Sequence, residues 1–373
     1  MANSVEALYI HVPFCLRKCD YCSFYSISPD EELIALFLTR LQEELAENID
    51  LLSEELTIFI GGGNPTCIGE KAFGRLLEIL EPVIATKKIR EFTVESNPET
   101  LSEAIGNGLK CLPELRLSLG VQRFKNEELK LIGRNSNTAV LFNAFETAFK
   151  LTPNVGMDLI LGIPGCTSIR QELQKKFGEF PFSHVSAYFL SIEEKTPLYQ
   201  KLKNAEIGDP TEIGPEELFE VRDFLETENF RHYEISNFCK LAHECKHNLN
   251  YWFGKDYVGL GPSAVSTIKM RRISNPSNFS DWLSGPGQSV EIIDKNAEIC
   301  EFLMLRLRLV HYGFSFEEFE NRFRGHSEST LTLVEKSIKN QLQKGFLEPF
   351  EDRIRLSKQG IVYANEVISS LFP

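Results

Sequence analysis

No apolar run in this 373-residue chain reaches the roughly 18 residues that a membrane-spanning helix needs, and residues 1–6 lack the basic start and apolar centre of a secretory signal. A cytoplasmic protein is expected. Positive surplus is missing too: 40 Lys plus Arg stand against 53 Asp plus Glu, a formal charge of −13. Broad nucleic-acid binding is thereby disfavoured, because phosphate backbones reward excess Lys and Arg. Internal repeats and low-complexity tracts are absent. Cysteine, by contrast, is present at nine positions. Without export, free or metal-bound thiols are expected in place of disulfides.

Hydrophobic periodicity alternates between two patterns. Strand-like apolar runs occur at residues 7–12, 56–60, 91–95, 116–121, 155–161 and 184–190. Helical spacing fills the intervals, most clearly over 30–52, where Leu33, Phe37, Leu41 and Leu45 recur. Such alternation implies an α/β fold with a parallel sheet covered on both faces. Six β/α units are expected, two short of a closed eight-unit barrel, and so an open (β/α)6 partial barrel.

Three regions follow from this pattern: a core over 1–236, a middle segment over 237–290 and a C-terminal domain over 291–373. The stretch "NPSNFSDWLSGPGQS" after Ser274 is rich in Pro, Gly and Ser and reads as a linker. Beyond it, helical patterns around "GFLEPFEDRIRLSKQG" predict a small winged-helix-like domain. From Lys295 onward 11 Lys plus Arg balance 11 Asp plus Glu, so a packing or partner-recognition role is expected there, not DNA reading.

"HVPFCLRKCDYCSFYS" places Cys15, Cys19 and Cys22 on a loop after the first strand, the end at which barrels carry their chemistry. Structural zinc usually takes four protein ligands as two separated pairs, and no second pair stands at such spacing. Iron–sulfur clusters are held by thiolates, and a short loop can wrap three corners of a cubane. Three ligands leave one iron open to a small molecule.

Other strand ends add polar groups. "IFIGGGNPT" ends a strand in three glycines, which let backbones approach closely, but Thr66 and Pro65 break any dinucleotide fingerprint. "VESNPET" supplies Glu95, "LSLGVQRF" Gln122, "IGRNS" Arg134 and "GMDLILGIPG" Asp158. Together they are the kind of set from which a barrel assembles a ligand site.

The C-x3-C-x2-C spacing, with Tyr21 before the last cysteine, resembles the radical S-adenosylmethionine (SAM) enzymes. "YIHVPFC", "GGGNPT", "ESNPET", "RLSLGVQRF", "DLILGIPG", "YEISNF" and "HNLNYW" resemble, over nearly the whole length, the oxygen-independent coproporphyrinogen-oxidase-like radical SAM family. The resemblance implies a [4Fe–4S] cluster on Cys15, Cys19 and Cys22, with SAM chelating the fourth iron. It assigns SAM contacts to Tyr9, Tyr21, Gly62, Gly63, Asn64, Glu95, Gln122, Arg134 and Asp158.

Two branches compete within that family. One decarboxylates coproporphyrinogen III propionates through a 5′-deoxyadenosyl radical. The other, the HemW branch, consists of heme chaperones that bind heme and deliver it to respiratory proteins, some of them membrane-associated. The chaperone branch is favoured because Phe24 stands where the oxidases carry a fourth cysteine, because strand one starts almost at once, and because "HNLNYW" resembles its H-N-x-x-Y-W motif. Two positions depart from that branch, Ser136 and Val265, where histidines are usual. His247 of the motif is the candidate heme ligand, and a homodimer is compatible with the resemblance. "CKLAHECKH" leaves open a second metal or heme site on Cys239, His243 and Cys245.

Overall fold

Every apolar run expected as a strand is one in the computed structural model, which describes residues 5–204, 206–208, 214–285 and 287–372. Strands β1 (Val5–Val12), β2 (Leu52–Gly62), β3 (Lys88–Ser96), β4 (Leu115–Gln122), β5 (Val155–Leu161) and β6 (His184–Phe189) pair side by side in chain order, all parallel. Strand β4 is buried along nearly its whole length, as a strand covered on both faces must be.

Helices α1 (Glu31–Asn48), α2 (Glu70–Thr86), α3 (Glu103–Leu109), α4 (Asn126–Leu131), α5 (Thr138–Leu151) and α6 (Arg170–Glu179) make the crossovers. Asp30 starts α1 by accepting the N–H groups of Glu32 and Leu33 at 3.0 and 3.2 Å. The helix then buries Ile34, Phe37, Leu41 and Leu45 against the sheet. It ends at Asn48, earlier than periodicity alone implies, and a tight turn over 49–51 delivers the chain to β2.

The sheet stays open. Beyond β6 lie the antiparallel strands β7 (Arg231–Glu234) and β8 (Asn237–Cys239), and β9 (Val258–Leu260) adds in parallel beside β1 at the opposite edge. The six expected β/α units are therefore present, extended by three short strands.

The stretch expected as a linker is structured. Residues 265–268, 271–274 and 289–292 form a three-stranded antiparallel sheet, and Phe279–Leu283 form a short helix. Phe279 and Trp282 from that helix are buried against Phe14 and Phe37. Aromatic burial outweighs the local Pro/Gly/Ser bias. Glu44 of α1 also accepts the Gly261 N–H at 2.8 Å and the Asn275 side-chain amide at 2.6 Å, fastening this return segment to the barrel.

The C-terminal region contains helices 295–308, 316–322 and 328–343, a hairpin of 347–350 with 353–356, and two short closing helices. Strand 314–315 pairs with 353–356 to complete a second three-stranded antiparallel sheet.

Candidate functional site

Four backbone contacts hold the cysteine loop in place. Cys15 N–H donates to the Ile27 carbonyl at 2.9 Å and Ile27 N–H to the Pro13 carbonyl at 2.8 Å, which closes the loop at its base. Asp20 N–H donates to the Ile132 carbonyl after α4, and the Asp20 carbonyl accepts Leu198 N–H from the helix Pro197–Lys203. Within the loop, Cys22 N–H donates to the Cys19 carbonyl at 3.1 Å, turning the two thiols toward one side.

Cys15, Cys19 and Cys22 all line one cavity of about 520 Å³. All three are free thiols. Burial pushes the Cys15 and Cys22 thiols upward. Among the described residues no three His, Cys, Asp or Glu side chains converge closely enough for a single metal ion. A polynuclear cluster takes its thiolates on separate irons, so spaced sulfurs on one wall suit it better than a lone zinc.

Tyr21, Gly62, Gly63, Asn64, Glu95, Gln122, Arg134 and Asp158 line the same cavity. Tyr9 does not. It faces an adjoining cavity of about 630 Å³, and Phe24, Gly62 and Glu95 border both.

The glycine turn lines the cavity and also packs on the cysteine loop. A side chain at Gly63 would strike the Phe14 carbonyl, so this residue lets the turn press on the cysteine loop. Asn64 N–H donates to that same carbonyl at 2.8 Å. The Asn64 side chain is buried and accepts Asn97 N–H at 3.1 Å, which binds the turn to the end of β3. Gly62 N–H donates to Glu95 Oε2 at 3.2 Å.

Glu95 and Asp158 form an acidic floor. Burial, reinforced by the neighbouring Asp158 charge, raises the Glu95 carboxyl to about 8. Burial also raises Asp158, opposed by hydrogen bonds from Ser186 and Ser118, the latter at 3.1 and 3.2 Å. The Arg116 and Arg134 charges partly offset Asp158, and a cationic amine would favour the ionised form of both enclosed carboxyls. Gln122 ends β4 with a φ of +66°, a rare conformation for a side-chain-bearing residue, at the cavity wall.

Sequence reasoning passed over Gly120 and Asn97. Arg134 lies across Gly120, where a Cβ would come within 3.1 Å of Nη2, and donates to Asn97 Oδ1 at 2.6 Å. A glycine inside a strand was the available signal for Gly120.

Within the histidine motif, His247 itself is enclosed. "HNLNYW" forms the helix α9 (Lys246–Trp252; α7 and α8 being Pro197–Lys203 and Gly214–Thr227), whose first N–H groups are capped by buried Glu91. His247 is 1% exposed. Thr57 donates its hydroxyl proton to the Glu6 carbonyl and so receives Nδ1–H of His247 at 3.0 Å, while Nε2 accepts the Tyr251 hydroxyl at 2.7 Å. Both ring nitrogens of His247, the expected heme ligand, are thus engaged by hydrogen bonds within the protein. Cys239, His243 and Cys245 do not gather either. Cys239 is buried in β8, His243 Nδ1 lies 3.3 Å from Asn154, and the Cys245 thiol meets Glu91 at 3.4 Å. Tyr251 and Trp252 do reach the larger cavity.

Comparison with known proteins finds relatives of the chain and of its fold. The Radical SAM superfamily profile matches residues 9–172, and that of the HemN C-terminal domain matches residues 293–363. Heme chaperone HemW of Buchnera aphidicola (subsp. Acyrthosiphon pisum) is 32% identical, covering 97% of each chain. That of Bacillus subtilis is 31% identical over 98% of this chain and 99% of its own. The fold matches coproporphyrinogen III oxidase (HemN) from Escherichia coli with a TM-score of 0.81 at 18% identity, covering 99% of this chain and 90% of that one. No described helix is long and apolar enough to cross a membrane.

Proposed function

The chain belongs to the oxygen-independent coproporphyrinogen-oxidase-like radical SAM family, in its HemW branch, and on that premise we propose that it is a [4Fe–4S] heme chaperone. It binds heme and hands it to heme-requiring proteins of the respiratory chain. Cys15, Cys19 and Cys22 would hold the cluster, which would supply reducing electrons for SAM chemistry. Glu95 and Asp158 receive the cationic part of SAM, Arg134 braces the cysteine loop, and Tyr21 and Gln122 wall the cavity.

Phe24 carries the choice between chaperone and oxidase. It is 68% exposed and borders both cavities, at the position where the oxidases of the family carry a fourth cysteine. An apolar ring at that junction offers contact to a flat hydrophobic macrocycle and no thiol chemistry. A radical decarboxylase must hold a propionate within reacting distance and shut out water, and an exposed ring at the junction leaves that path open.

The test is a paired assay on anaerobically reconstituted protein. Heme binding without formation of protoporphyrinogen from coproporphyrinogen III supports the chaperone. Steady product formation with SAM and a reductant supports the oxidase.

A further inference from the structure

Three residues lining the larger cavity, His11, Trp252 and Ser263, carry a buried polar atom without a hydrogen-bond partner, and of these His11 is the common metal ligand. His11 stands near the end of β1, is only 7% exposed, and lines this cavity beside Tyr9. Its Nδ1 lies 3.0 Å from the Tyr9 hydroxyl. Its Nε2 has no hydrogen-bond partner. Burial, the dominant influence, lowers the imidazole to about 4, opposed by the neighbouring Tyr25 backbone. His11 is thus a neutral, enclosed imidazole with one nitrogen unclaimed. Buried polar atoms are seldom left so, and an exception calls for a ligand or a functional reason.

The surroundings suit a flat, apolar, metal-bearing molecule. The cavity of about 630 Å³ falls within the range of sites that enclose small ligands. Tyr251, Tyr257 and Phe302 offer ring faces, and Met270 and Met304 add adaptable thioethers. At the rim Lys255 and Arg322 pair with Glu6 and Glu298 at 2.9 and 3.2 Å yet keep side-chain exposures of 48% and 37%, so carboxylate tails would share these cations with their present partners.

Resting on the heme-chaperone reading above, we propose that heme binds in this larger cavity with His11 Nε2 as an axial ligand of its iron. Imidazole is a common axial ligand, and the iron takes the lone pair of the neutral ring. The proton then resides on Nδ1 and is donated to the Tyr9 oxygen, which fixes the tautomer and aims the ring. Tyr9 is a positioning residue. Phe24, Gly62 and Glu95 border both cavities, so the heme lies next to the SAM cavity without displacing it. His247 is excluded by its two internal hydrogen bonds.

Titration of reconstituted protein with ferric heme, read by absorption and electron paramagnetic resonance, tests this. The parent should show a nitrogen-ligated spectrum. His11→Ala should lose that signature and bind at least about tenfold more weakly, and added imidazole should restore the signature by filling the vacated space. His247→Gln should keep it. Iron content of His11→Ala after reconstitution reports whether the barrel remains intact, and should match the parent. Should His11→Ala not fold, His11→Met decides, since a changed ligand signature supports the site and an unchanged one overturns it. Unaltered spectrum and affinity in His11→Ala, from a parent that binds heme, would overturn the His11 site alone. A parent that binds no heme overturns the chaperone reading together with it.

Discussion

Arg134 Nη1 lies 3.5 Å from the Cys19 sulfur, and Nη2 of the same guanidinium donates to Asn97 Oδ1 and the Gly120 carbonyl, each at 2.6 Å. One buried side chain therefore ties the cysteine loop to the ends of β3 and β4. The loop's position depends on the barrel, and not on cysteine spacing alone.

Arg134→Ala removes the donor from two acceptors at once. Unpaired buried acceptors cost about 1–3 kcal/mol each, so the variant should unfold at clearly lower urea and retain less iron after reconstitution. Unchanged urea midpoint and iron content would show that the loop stands without this brace.

Loss of one cluster thiolate should be more selective. The parent is expected to bind about four irons and four sulfides per chain, and Cys19→Ser to bind far less iron at near-parental secondary structure. Stoichiometric zinc on the same cysteines, with no cluster obtainable, would refute the iron–sulfur assignment.

The raised carboxyl of Glu95 gives SAM binding a pH dependence. Near neutral pH the free protein holds Glu95 largely protonated, since its value stands at about 8. A cationic amine favours the ionised form, so binding expels a proton and SAM affinity should rise with pH up to about 8. Glu95→Gln cannot ionise and should flatten the dependence while the cluster remains. Isothermal titration in buffers of different ionisation enthalpy measures the released proton. Equal proton release by parent and variant would place the amine elsewhere.

Much of this was legible in the chain, for identifiable reasons. The six strands announced themselves because a parallel sheet covered on both faces demands unbroken apolar runs such as "VGMDLIL". The gathering of Cys15, Cys19 and Cys22 at one cavity was legible because the three lie close together in sequence. Glu95, Gln122 and Asp158 could be found because a parallel barrel collects its strand ends at one rim. What stayed hidden depends on long-range packing. Phe279 and Trp282 turn a Pro/Gly/Ser-rich stretch into part of the core, and no local pattern shows their distant partners Phe14 and Phe37. The hydrogen bonding of His247 was hidden for the same reason: its partner Thr57 is 190 residues away. His11 was overlooked inside "YIHVPFC" because a missing partner is a property of three dimensions.

His247 should accordingly behave as a structural residue. His247→Ala strands the Tyr251 hydroxyl and opens a void, at a cost of about 1–3 kcal/mol. Its thermal midpoint should fall while the ligand signature of bound heme stays parental. A loss of that signature with unchanged stability would restore His247 as a candidate ligand.

Product analysis after heme loading measures the central claim most directly. Protein carrying cluster, SAM and one heme is mixed with a heme-free respiratory heme protein under anaerobic, reducing conditions, and heme on the recipient is followed by absorption. Transfer to the recipient should be faster and more complete than from free heme, with no carbon dioxide released when coproporphyrinogen III is supplied instead. Heme that never reaches the recipient, with sustained carbon dioxide release from coproporphyrinogen III, would contradict the account and identify an oxidase.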